Sequence, residues 1–135
     1  KYENSKNFIR EIKGKLEDER IVSLYGTFKT SNNWSEGSIT IAQRTKVYKE
    51  STVTASGVEA GKTGQHYDLI IMDDLNTEEN SQTVDLRKKI IRHYQMNTAI
   101  LEPGGTLVVI GTRYAADDVI GHILRELDVK ETTLA

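Results

Sequence analysis

The stretch "ASGVEAGKTGQHYDLIIMDDL", residues 55–75, holds two signals that its own spacing sets against each other. Gly61–Thr63 spell the GKT of a phosphate loop, and Asp73 and Asp74 close an apolar run in the manner of a magnesium-binding strand end. A phosphate loop reads GxxxxGK[ST], follows a buried strand and opens a helix whose first amides hold the phosphates. Here Ser56 takes the place of the first glycine, and only Gly64, Gln65, His66 and Tyr67 lie between Thr63 and the strand expected at Asp68. A crossover between parallel strands needs about a dozen residues. No helix fits, so Lys62 belongs to a glycine loop and not to a phosphate loop.

The aspartate pair reads differently. Leu69–Met72 are four consecutive apolar residues, the mark of a strand covered on both faces. Ligand chemistry in open α/β sheets sits outside the carboxyl ends of the strands, where Asp73 and Asp74 fall. One reading gives Asp73 to Mg²⁺, directly or through water, and Asp74 to the attacking water as general base. The other has Asp74 simply capping the next turn. Further on, "GTRY" follows the apolar "LVVI", so Thr112 and Arg113 should reach the same sheet edge. An arginine fork there matches phosphate oxygens, or else it pairs with Asp117 or Asp118. Those two acids precede "VIGHIL" and suit a helix start.

Outward from this centre the pattern is α/β. Phe8, Ile9, Ile12 and Leu16 at helical spacing predict a helix over residues 5–17. "RIVSLYG" (20–26) reads as a short strand and "KTSNNWSEG" (29–37) as a polar turn. "SITIAQR" (38–44) and "STVTASG" (51–57) alternate like half-buried strands, with "TKVYKE" (45–50) able to pair with either. A long helix is expected over 81–101, stopped by Pro103 and two glycines, then the apolar strand "TLVVIG" and a closing helix, "ADDVIGHILREL". This order implies a parallel core preceded by an antiparallel β insert, in one unit without a linker.

The bulk numbers narrow the class. The 135 residues are about one domain's length. Eighteen basic against twenty acidic residues leave a net charge of −2, so no global basic field points to nucleic acid, although a local patch is compatible. The absence of cysteine excludes disulfides and thiolate metal sites, which fits a cytoplasmic protein. The three histidines, His66, His93 and His122, lie on separate elements without metal-ligand spacing. Trp34 suits the core better than nucleotide stacking or a DNA face.

Taken together, residues 67–127, "YDLIIMDDLNTEENSQTVDLRKKIIRHYQMNTAILEPGGTLVVIGTRYAADDVIGHILREL", resemble the ATPase domain of tailed-bacteriophage terminase large subunits, the DNA-packaging motors. Members show an apolar strand ending in DD or DE, an acidic linker, a long helix, a "pGG" turn, an apolar strand, TRW or TRY, and a DD-x-x-G helix. "TVTASGVEAGKTGQHYD" is similar to their approach to the aspartate pair, and the likeness runs over roughly residues 34–128. The resemblance implies a RecA-like, additional-strand P-loop ATPase: a parallel sheet flanked by helices, with an antiparallel β insert. It implies Asp73 as the Walker B metal ligand, Thr112 and Arg113 as the coupling motif against nucleotide, and ATP with Mg²⁺ as cofactors. Asp74 stands where many members place a catalytic glutamate; its arm is shorter, so Glu78 and Glu79 stand as alternative bases. Implied partners are double-stranded viral DNA, the terminase small subunit and the portal protein, in an oligomeric ring of the full assembly inside a bacterial host. "KNFIREIKGKLEDERIVSLYG" looks like the helix and strand that follow the family's phosphate loop. No phosphate loop and no nuclease domain can be placed in the chain, so an internal piece of a motor, or a truncated prophage remnant, is expected, inactive by itself.

Two other classes compete. "YDLIIMDD…LEPGGTLVVIG" is also similar to the late part of an S-adenosylmethionine-dependent methyltransferase, which would need a glycine-rich loop after an early strand. The row Arg87, Lys88, Lys89, Arg92 and His93 suggests a non-enzymatic DNA-binding module, although such runs are usually solvated helix faces.

Overall fold

The computed structural model describes residues 2–58 and 64–127. The chain divides into two compact units, Lys1–Gly61 and Lys62–Ala135, where the sequence suggested one. The GKT tripeptide, with Lys62, lies outside the described residues. Past it, Gly64–His66 form a turn and a short connection to the next strand, with no helix.

The first unit opens with α1 (Tyr2–Leu16), the amphipathic helix its periodicity predicts. Next comes α2 (Glu19–Tyr25), which corrects the expectation of a strand at "RIVSLYG". The reason is local. Asp18 sits at the N-cap in extended conformation and accepts from the Arg20 amide, while Glu19 adds an acid to the first turn. The Arg20 guanidinium, then its amide, hold the Asp18 carboxyl down to about 2. Capping outweighs the β propensity of Ile21 and Val22. The two expected half-buried strands shrink to β1 (Ser38–Ile39) and β2 (Val53–Thr54), paired antiparallel. "TKVYKE" pairs with neither. Among the described residues of this unit, Ile9 and Ile39 are the buried apolar side chains.

The second unit is built on β3 (Tyr67–Asp73) and β4 (Leu101–Ile110), paired parallel with Ile71 opposite Val108 and Asp73 opposite Ile110. The register slips between Tyr67 and Leu69, where β4 carries extra residues. Gly104, at φ 83°, takes a left-handed conformation that favours glycine, and a Cβ on Gly105 would come within 2.9 Å of the Asp68 carbonyl. The "EPGG" run is therefore a bulge inside β4 rather than a helix stop. Between the strands a one-turn helix, α3 (Glu78–Ser81), precedes α4 (Val84–Thr98), which is the long helix expected over 81–101. Each has its own threonine cap: Thr77 accepts from the Asn80 amide and Thr83 from the Leu86 amide. The closing helix α5 (Val119–Leu127) packs against α4.

Met72, Leu75, Ile90, Tyr94, Ile100 and Val119 form the apolar core here. The sheet is covered on one face only, which corrects the expectation of two-sided burial. Ile70, Met72, Leu107 and Val109 face inward, whereas Leu69 (54 %), Ile71 (60 %) and Ile110 (51 %) stay exposed on the other side. Two strands with helices against one face leave the second face of a parallel sheet open.

Candidate functional site

Parallel pairing sends both strands toward the same end, so the loop after Asp73 and the loop after Ile110 emerge side by side. These loops are tied together by a buried polar cluster that the sequence did not reveal. Asn76, 3 % exposed, donates through Nδ2 to the Thr112 carbonyl and to Asp118 Oδ2, both at 2.8 Å. Its Oδ1 accepts from the Ser81 hydroxyl at 2.8 Å. Asp118 is completely buried. Its Oδ2 also accepts from the amides of Tyr114 (2.7 Å) and Ala115 (2.9 Å), and its Oδ1 from the amide of Gly121 (2.9 Å), as a helix cap does. Burial by itself raises the pKa of this carboxyl. The amides of Gly121, Ala115 and Tyr114 and the side chain of Asn76 override it, and the net shift is downward. A carboxylate with so many donors is an internal strut, as its place before "VIGHIL" suggested. Close approach is part of the design, since a Cβ on Gly121 would overlap the Ala116 carbonyl.

Asp117 is also engaged. Arg87 from α4 donates to it through Nη2 at 3.1 Å, with Nε 3.0 Å from its other oxygen in an ion-pair contact that lacks hydrogen-bond geometry, and its Nη1 donates to the Ser81 carbonyl at 2.6 Å. Arg113 therefore pairs with neither acid. Among the described residues its one side-chain hydrogen bond, Nε to the Ala115 carbonyl, is long at 3.5 Å, and the residue is exposed at the sheet end. Arg87 in turn belongs to this internal bracing and not to a free basic face of α4.

Asp73 and Asp74 stand in the opposite condition. Both are exposed, and neither side chain has a hydrogen bond or ion pair among the described residues. Asp74 holds φ at 48°, the left-handed region that short polar residues enter more readily than others. The backbone thus turns sharply just past the strand, and the two carboxylates leave it in succession. Thr112 is exposed beside them; its carbonyl is fixed by Asn76, while its hydroxyl makes no hydrogen bond among the described residues. Glu78 and Glu79 occupy the first turn of α3, inside the Thr77–Asn80 capping box, where acids stabilise the helix start.

The strand ends thus present two carboxylates, a hydroxyl and a guanidinium at one edge. Among the described residues no group of three or more His, Asp or Glu side chains is gathered for a metal. A hard divalent ion here would take one or two carboxylates and draw its other ligands from water and phosphate, as Mg²⁺ commonly does. No helix among the described residues is long and apolar enough to cross a membrane. No protein-family model matches the chain, and no curated protein matches it by sequence.

Proposed function

We propose that the chain supplies the metal-aspartate and phosphate-sensing half of a RecA-like P-loop ATPase, in the manner of the terminase large subunits that drive viral DNA packaging. The observation that carries this reading is the parallel pairing of β3 and β4 with Asp73 opposite Ile110, which brings Asp73 and the Thr112–Arg113 pair to one sheet end. In this reading Asp73 anchors Mg²⁺, Asp74 orients or deprotonates the attacking water, and Arg113 meets the terminal phosphate. Thr112, pinned through its carbonyl, transmits the state of that phosphate to the rest of the unit. The helix at α2 departs from the family pattern, so the proposal rests on the second unit alone. It also weakens the methyltransferase alternative, whose early strand and glycine loop would have to come from "SLYGTFKTS". The charged row on α4 supports a bare DNA-binding module less well, because Arg87 is engaged with Asp117 and Ser81.

The test is ATP turnover by the assembled ATPase that contains this chain. Asp73→Ala should lower turnover by about 100-fold or more through loss of the metal's anchor. Lys62→Ala should leave most of it. Equal loss in both variants would show that the glycine loop, and not the strand end, holds the phosphates.

A further inference from the structure

The strand-end site has its two halves on separate loops, and the β3–β4 ladder stops short of fixing their distance. Register pairing ends with Asp73 opposite Ile110, and Arg113 lies beyond it in the chain. Past the ladder the two loops meet at Asn76. A Cβ on Gly111 would lie 3.9 Å from the Asn76 backbone nitrogen and 4.0 Å from its Cβ, so the chain after β4 runs directly against this residue. Among the described residues, the side-chain hydrogen bonds between loop 74–77 and loop 111–118 both come from Asn76, to the Thr112 carbonyl and to Asp118. Ser81 of α3 holds the other end of the same amide. Leu75 beside it is buried, and its carbonyl accepts from the Asn80 side chain at 3.0 Å.

A buried amide is costly unless its donors and acceptor are matched, and a matched one adds little net stability. What it adds is position, because hydrogen bonds hold only within a narrow range of distance and angle, and a satisfied buried network is rigid. Bonded on three sides, Asn76 can move only if Thr112, Asp118 and Ser81 move with it. Neither half of the site is held this way by its own side chain. Asp73 has no side-chain hydrogen bond among the described residues, and that of Arg113 is long at 3.5 Å. The fixed point between them is Asn76. We infer that Asn76 is a positioning residue that sets the separation between the Asp73 carboxylate and the Arg113 guanidinium, so that one metal-bound diphosphate or triphosphate engages both at once. This role rests on the reading of Asp73 as metal anchor and Arg113 as phosphate contact. Asn76 itself touches neither ligand; it acts through the Thr112 backbone.

The experiment is NMR titration of the full chain with free Mn²⁺ and, separately, with preformed Mn²⁺–pyrophosphate, read as line broadening at the strand-end amides. The wild type should bind the complex about tenfold or more tighter than the free ion, an ordinary size for coupling between two contacts. Arg113→Ala should remove that gain and leave free Mn²⁺ binding in place. Asn76→Ala should do the same, although it contacts neither ion nor phosphate. Ser81→Ala takes away one of the three bonds to Asn76 and should lose part of the gain; it carries the test if Asn76→Ala does not fold. A purely structural role would weaken both titrations together and leave their ratio alone. An undiminished ratio in Asn76→Ala, or in Ser81→Ala where Asn76→Ala is unfolded, would overturn the positioning role and leave the Asp73 reading intact. So would a wild type that binds free Mn²⁺ at Asp73 without preferring the complex. Absence of Asp73-dependent broadening in the wild type would overturn that reading, and the role of Asn76 with it.

Discussion

Asp73–Asp74 and Asp117–Asp118 are the same dipeptide, one at the end of β3 and the other just before α5, and the fold treats them in opposite ways. The second pair is consumed by the protein: Asp118 takes amides and Asn76, and Asp117 takes Arg87. The first pair is left open to solvent, with a left-handed backbone at Asp74 and no protein partner among the described residues. Asp118, with donors to both of its oxygens, cannot serve a ligand, while carboxylates without donors are free to. Acidity alone says nothing about role. What separates the pairs is how many donors the loops bring to each.

The largest difference should appear in stability. Asp118→Ala leaves several buried donors without an acceptor, and should cost about 3 kcal/mol or more by urea unfolding of the chain. Asp73→Ala should stay within about 0.5 kcal/mol, because its side chain supports nothing. A similar cost for both would erase the distinction.

Acid should sharpen the same contrast. The folded-state pKa of Asp118 lies below its unfolded value, so its contribution is fully present above the unfolded pKa and is lost as pH falls through the folded one. Unfolding free energy should therefore drop below about pH 4, with a shallower slope in Asp118→Asn. An identical acid slope in that variant would remove Asp118 from its bracing role.

A smaller effect is expected at Arg87. Arg87→Ala gives up the ion pair with Asp117 and the bond to Ser81, and should cost about 1–2 kcal/mol, since the guanidinium is mostly buried. Smallest is the backbone term at Asp74. With φ at 48°, Asp74→Ala should cost about 1 kcal/mol and Asp74→Gly should be neutral or stabilising. The reverse order in thermal unfolding would mean that the left-handed turn is not maintained in solution.

Much of this arrangement was legible in the chain itself. The apolar runs at Leu69–Met72 and Leu107–Ile110 announced strands, and their separation by a helical stripe announced parallel pairing. Asp118 before "VIGHIL" announced a helix start. What stayed hidden depends on partners distant in sequence. Nothing near Asn76 hints at a residue 42 positions away, yet that hydrogen bond joins the two loops. "RIVSLYG" misled because the β-branched pair Ile21–Val22 and the closing Gly26 suit a short strand, whereas the deciding signal was the acid pair Asp18–Glu19 just upstream. Two-sided burial was inferred from the apolar runs, but burial depends on what lies above the sheet, and the runs carry no record of that.

The most direct test of the central claim is Mn²⁺ titration of the chain followed by NMR line broadening, comparing wild type with Asp73→Asn and Asp117→Asn. Mn²⁺ stands in for Mg²⁺ on oxygen ligands. Broadening should centre on Asp73, Asp74, Thr112 and Arg113, vanish in Asp73→Asn and persist in Asp117→Asn. Broadening that survives Asp73→Asn, or that is lost in Asp117→Asn alone, would contradict that claim.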